Sequence, residues 1–141
     1  MPKQGWDLGL DFETARKKLL KSLEKTRGKE QVYIAGLLVQ LVNGLRVSEA
    51  WRALQHFLRT RERDFYLEPG KRGKPRPVRI PKIIKPREEW KWVLEVDPSR
   101  ARKRLHYYAR KILGSNTHSL RYALVGYLAK QGVSALSLIH I

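Results

Sequence analysis

Two arginines, a histidine and a cluster of lysines stand in short polar segments where they could handle a phosphate group. Arg46 falls within Asn43-Gly44-Leu45-Arg46-Val47-Ser48-Glu49-Ala50, and Arg121 within Thr117-His118-Ser119-Leu120-Arg121-Tyr122. A guanidinium presents paired N–H donors matched to the oxygens of an oxyanion, so two of them can hold one phosphate and stabilise charge that builds up on it. His118 comes three residues before Arg121, one helical turn, so on a helix both side chains face the same way. Such a histidine can hydrogen-bond the same anion or manage a proton. Gly70-Lys71-Arg72-Gly73-Lys74-Pro75-Arg76 reads as a basic turn, and an ammonium whose pKa is depressed by neighbouring cations can serve as a general acid. Taken singly, each residue has a plainer reading: a surface charge for either arginine, a cap for a histidine near a helix start, a solvated turn for the lysines.

The elements that must position these residues can be read from periodicity and punctuation. Asp11 can cap a helix running to about residue 26, with Phe12, Ala15, Leu19, Leu20 and Leu23 on one face and lysines on the other. A second, more apolar helix over about 29–42 is closed by Asn43-Gly44 and should be central and buried. Ser48 is the expected N-cap of a third, through Trp51, Leu54, Phe57 and Leu58 to about Thr60. Two short β-like runs, 64–67 and 78–80, flank the basic turn and predict a hairpin. Prolines 75, 77, 81 and 86 confine it to a small edge feature. Pro86 and Pro98 can each open a helix, over about 87–96 and 98–113, and Gly114 stops the second. Thr117 can cap a last full helix to Gln131, with a fresh start at Ser134. The expected fold class is therefore α+β, mainly α, with one small antiparallel hairpin. Neither repeats nor low-complexity stretches occur.

Composition sets the bounds. A chain of 141 residues, 42% hydrophobic, has room for one domain with an ordinary core. Its apolar runs are far shorter than the roughly 20 residues of a membrane span, and no signal-peptide pattern opens it, so a soluble, cytoplasmic protein is expected. No cysteine is present and the four histidines form no HxxxH pair, so neither disulfide, metal nor other cofactor is expected. Thirty Lys and Arg against thirteen Asp and Glu leave a formal charge of +17, which attracts a polyanion, most simply nucleic acid. A heat-adapted surface is the other reading of so many cations, although heat adaptation usually balances the two signs.

The segments around Arg46 and Arg121 resemble the two signature boxes of the tyrosine recombinases, the phage-integrase family. The first box is a Gly-Leu-Arg-Ile/Val-Ser-Glu turn into a helix, matched by residues 44–49, and the second is His-x-Leu-Arg-His/Tyr, matched by residues 118–122. Between them residues 70–76 resemble the family's basic hairpin, Gly-Lys-Gly-x-Lys-x-Arg. Alone, each match is weak; three in family order, on elements of the right kind, are specific. The resemblance covers about 11–141 and its form is closest to compact integrases of archaea and their viruses. It implies a helical recombinase catalytic core that cleaves and rejoins duplex DNA through a 3′-phosphotyrosine, in site-specific recombination or integration. Arg46, Arg121 and His118 would hold the scissile phosphate, and Lys71, or alternatively Lys74, would protonate the leaving 5′ oxygen. Glu49 would brace Arg46 or the helix start. Arg72, Lys74 and Arg76 of the hairpin, with Arg100, Arg102, Lys103 and Arg104, would contact the DNA backbone, positioning the duplex without reading its sequence. A solvated face is the alternative for the arginine-rich helix.

The chain departs from the family in one respect that bears on chemistry. Members continue past the second box through a Gly-His or Gly-Trp turn to a nucleophilic tyrosine; here neither appears. Tyr122 and Tyr127 read as packing residues, while Tyr33, Tyr66, Tyr107 and Tyr108 precede the second box. The expected organisation is a lead over 1–10, an incomplete catalytic domain over 11–135, and a tail, 136–141, that reads either as translated sequencing-adapter DNA or as the start of the family's next helix. Such a chain should bind duplex DNA without cutting it, and the whole protein should self-associate on DNA. A non-catalytic DNA-binding protein with the recombinase fold is the second reading, and a basic RNA- or ribosome-binding protein the third.

Overall fold

The computed structural model describes residues 10–69 and 73–132. They form five α-helices, one 3-10 segment and one hairpin: α1 Phe12–Lys25, α2 Gly28–Asn43, α3 Val47–Thr60, β1 Asp64–Leu67, β2 Arg76–Arg79, the 3-10 segment Glu88–Glu95, α4 Pro98–Leu113 and α5 Thr117–Lys130. The fold is mainly helical, with a single two-stranded antiparallel sheet among the described residues.

α2 is the centre of the molecule. Its residues from Gln31 to Leu41 are all buried, and α1, α3, α4 and α5 all pack on it. Gly36 permits a close approach: a Cβ there would lie 3.2 Å from Leu105 Cδ2 on α4 and 3.7 Å from the Trp51 ring on α3. Trp51 is fully buried, stacks on Tyr33 at 5.3 Å between centroids, and donates its indole N–H to the Val96 carbonyl at 2.9 Å.

The helix ends show which side chain wins each cap. Asp11 accepts from the Thr14 N–H, as the sequence suggests, and Asp97 caps α4 ahead of the expected start at Pro98. At α3 the cap falls on Arg46 instead of Ser48, because the Glu49 carboxylate reaches back to accept the Arg46 backbone N–H at 2.9 Å. At α5 it falls on Asn116 instead of Thr117, since the Asn116 amide oxygen accepts from the Ser119 N–H and the Thr117 hydroxyl turns inward. The helix expected at 87–96 is 3-10: Trp90 and Val93, three residues apart, are its buried residues, and the Gln55 amide donates to the carbonyls of both Val93 and Val96.

The hairpin pairs Asp64 with Arg79, Phe65 with Val78, Tyr66 with Pro77 and Leu67 with Arg76. β2 thus starts two residues earlier than expected and runs through Pro77, which a two-stranded ribbon tolerates because each strand is an edge. Asn43 fastens it to α2: its side-chain amide donates to the Arg79 carbonyl at 3.0 Å and its oxygen accepts from the Arg79 N–H at 2.9 Å. Gly44 then turns the chain in the left-handed region, φ 65°, where a Cβ would stand 3.3 Å from Leu124 of α5. Gly44→Ala is expected to cost about 1–2 kcal/mol from the backbone alone. Urea unfolding should show this as a lower midpoint at unchanged slope.

Candidate phosphate-binding groove

The first turns of α3 and α5 lie side by side at the C-terminal end of α2 and leave a groove of about 260 Å³. Arg46, Val47 and Ser48 line one side, and Thr117, His118 and Arg121 the other. Arg102 and His106 enter from α4, and Gln40 of α2 contributes to the floor. Arg46 and Arg121, 75 residues apart in sequence (121 − 46), therefore share one concavity with His118.

The electrostatics are those of a crowded cation site. Glu49 is buried; one oxygen holds the Arg46 N–H, and the other lies 3.7 Å from Arg46 Nη1 and 3.6 Å from Arg76 Nε of β2. Burial, and then the charges of Arg46 and Arg76, push the Arg121 pKa down, while Glu49 partly offsets them. An arginine keeps its proton under such pressure, so the cost appears as an attraction for an anion. Among the described residues, none lining the groove is acidic. The arrangement can thus clamp an oxyanion between guanidinium groups, with an imidazole beside them.

The other residues singled out from the sequence divide into several groups. Lys71 and Arg72 lie outside the described residues. Lys74 is exposed in the connection leading into β2 and does not line the groove. Arg102 faces the groove, whereas Arg100 and Arg104 act electrostatically on Tyr33, so the cations of α4 serve more than one surface; Lys103 is exposed. Tyr127 stacks on Phe12 at 4.6 Å, as a packing residue should. Tyr122 is half-exposed with its ring edge-on to His118 at 5.1 Å, and Tyr66 and Tyr107 are exposed. The proposed tail at 136–141 and the fresh start at Ser134 also lie outside the described residues.

His106, Gln40 and Thr117 were not among the residues that the motifs single out as chemical. His106 carries the i, i+4 spacing to Arg102 that puts both on one helix face, and Gln40 is a polar residue in an apolar run. Those are the signals that could have found them. No three His, Cys, Asp or Glu side chains gather as a metal-ligand set, and no helix is long and apolar enough to cross a membrane, among the described residues.

The chain belongs to a family of proteins from archaea and their viruses. Over 135 residues it is 39% identical to ORF241 of Acidianus two-tailed virus, a protein provisionally named an integrase, matching 93% of this chain and 56% of that protein. Over 167 residues it is 30% identical to MJ0770 of Methanocaldococcus jannaschii, which is named as uncharacterized, matching 92% of this chain and 74% of that one. The chain thus spans just over half the length of its viral relative. No family model and no solved structure matches it.

Proposed function

We propose that these residues form the phosphate-holding part of a tyrosine-recombinase site, acting on duplex DNA in integration or recombination through a 3′-phosphotyrosine. The observation that carries the reading is the meeting of Arg46, Arg121 and His118 in one acid-free groove. The integrase name of the viral relative supports it. Arg46 and Arg121 bind the non-bridging oxygens of the scissile phosphate and offset the charge of the phosphorane, and His118 hydrogen-bonds the same group. Lys71, with Lys74 as the alternative, protonates the 5′ oxygen. Glu49 orients Arg46 and Arg76 without touching substrate. The attacking phenol comes from a tyrosine outside these 141 residues, supplied by a longer form of the chain or by a neighbouring subunit.

A second reading, DNA binding without cleavage, is favoured by one specific feature: no tyrosine is among the described residues that line the groove. One experiment separates the two. The chain is mixed with a nicked duplex, alone and extended by a family-type Gly-His turn and tyrosine segment, and covalent protein–DNA complexes are sought on denaturing gels. The chain alone is expected to give none and the extended chain to give a 3′-phosphotyrosyl adduct. Arg46→Ala or Arg121→Ala in the extended chain should abolish the adduct, while Lys71→Ala should be rescued by a substrate whose 5′ leaving atom is sulfur. Adduct formation by the unextended chain, lost in Tyr122→Phe, would overturn the assignment of the nucleophile. An extended chain that binds DNA but forms no adduct would leave only the second reading.

A further inference from the structure

We propose that His106 is a further ligand of the phosphate held in the groove and that it takes up a proton from solvent as the anion enters. The proposal rests on the reading of the groove as a DNA-phosphate site and adds a residue that the two signature boxes do not contain.

The geometry places His106 among the cations. Its ring lines the groove with Arg102 from its own helix, Arg46 from α3, and His118 and Arg121 from α5; the wall from α2 is the uncharged Gln40. Arg110 adds a further positive charge from α4. With no carboxylate lining the groove, the charges around the ring disfavour a protonated imidazole. Burial first, then Arg102 and Arg110, accordingly hold its pKa below the usual histidine value. A phosphodiester brings a negative charge to the ring, offsets part of the surrounding positive field and so raises the pKa of the imidazole.

Two further features give the proton a place. The Thr117 hydroxyl lies 3.3 Å from both ring nitrogens of His106, close enough to turn to one of them as acceptor or donor according to the tautomer. Gln40 donates its amide to the carbonyl of the same Thr117 at 3.0 Å, yet its own side-chain oxygen is buried without a hydrogen-bond partner. The imidazolium has one more N–H than the neutral ring. His106, Thr117 and Gln40 thus give the groove a polar lining that suits a charged histidine once an anion is present.

Linkage gives the sign. If the pKa of His106 is higher in the bound than in the free protein, affinity rises as pH falls through the bound value and levels off below the free one. The test is fluorescence anisotropy of a short labelled duplex at constant ionic strength from about pH 5.5 to 8.5, bracketing the ordinary histidine range. The native chain should gain about threefold to tenfold in affinity toward the acid end, tenfold corresponding to one unit between the two pKa values. His106→Gln should remove a distinct part of that gain, and His118→Gln serves as the control for the other histidine in the groove. If His106→Gln keeps the full pH dependence, the proposal is overturned. Imidazole NMR titrations of the unsubstituted protein provide the second measurement: the His106 resonance should titrate at higher pH with DNA than without, and an unmoved midpoint would overturn the proposal too. Absence of duplex binding at every pH would bring down the underlying DNA reading and this proposal with it, an outcome distinct from pH-independent binding.

Discussion

Raising salt from about 50 to 200 mM should weaken duplex binding by this chain about 10³- to 10⁵-fold, the loss expected when six to ten phosphates are neutralised by protein cations. The molecule has the charges to do so: a net +17, the Arg46, Arg76 and Arg121 group, and exposed cations along α4. Each phosphate contact releases condensed counterions, and the gain from that release shrinks as bulk salt rises. Binding isotherms at several salt concentrations give a slope that counts the contacts. Arg46→Ala should reduce its magnitude by about one and weaken all duplex sequences alike, because the guanidinium reads phosphate and not bases. A flat salt response would count against phosphate contacts altogether, and a preference for single-stranded RNA would point to the ribosome- or RNA-binding alternative.

The largest effect on stability is expected at Trp51, far from any phosphate. Trp51→Ala removes a fully buried indole that stacks on Tyr33, sits 6.2 Å from Trp92 between centroids, and satisfies the Val96 carbonyl. Truncations of this kind cost about 3–5 kcal/mol through lost transfer energy and the cavity left behind. Against a total stability of about 5–15 kcal/mol for a domain, much of the fold's margin would go. Equilibrium urea unfolding measures it. A change below about 1 kcal/mol would mean that α2, α3 and the 3-10 segment can close over the gap, contrary to the tight approach at Gly36.

What could be read beforehand follows from how local each determinant is. Asp11, Gly44, Pro98 and Gly114 mark helix ends through their own backbone or side-chain chemistry, and those ends fall where expected. Ser48 and Thr117 are equally good caps in isolation, yet neither caps. Glu49 and Asn116 reach the exposed N–H groups, and Thr117 is drawn into a contact with a residue eleven positions away. The Gln55 amide of α3 holds the carbonyls of Val93 and Val96 at the end of the 3-10 segment Glu88–Glu95, a contact that no local pattern reveals. In the groove, the Arg46 and Arg121 pairing was foreshadowed by two motifs. The contact of Arg76 with Glu49 and the place of His106 on the groove wall arise only when β2 and α4 fold against those motifs.

The Asn43-Gly44 step has a bearing on the chemical ageing of this protein. In a loose chain, a glycine nitrogen readily attacks the side-chain carbonyl of the asparagine before it, closing a succinimide that opens to aspartate or isoaspartate, and asparagine is accordingly among the heat-labile residues. Here the attacking nitrogen is engaged with the Gln40 carbonyl, while the Asn43 side chain is held by Val39 and by both backbone groups of Arg79. The folded state thus guards this step. Were the ring to close during a lapse in folding, the resulting carboxylate would face the Arg79 carbonyl in place of a donor, and the ribbon carrying Arg76 would lose one of its ties to α2. Damage of that kind is a clock that runs while the protein is unfolded, and it would be written as a hairpin held less firmly in the copies that refold.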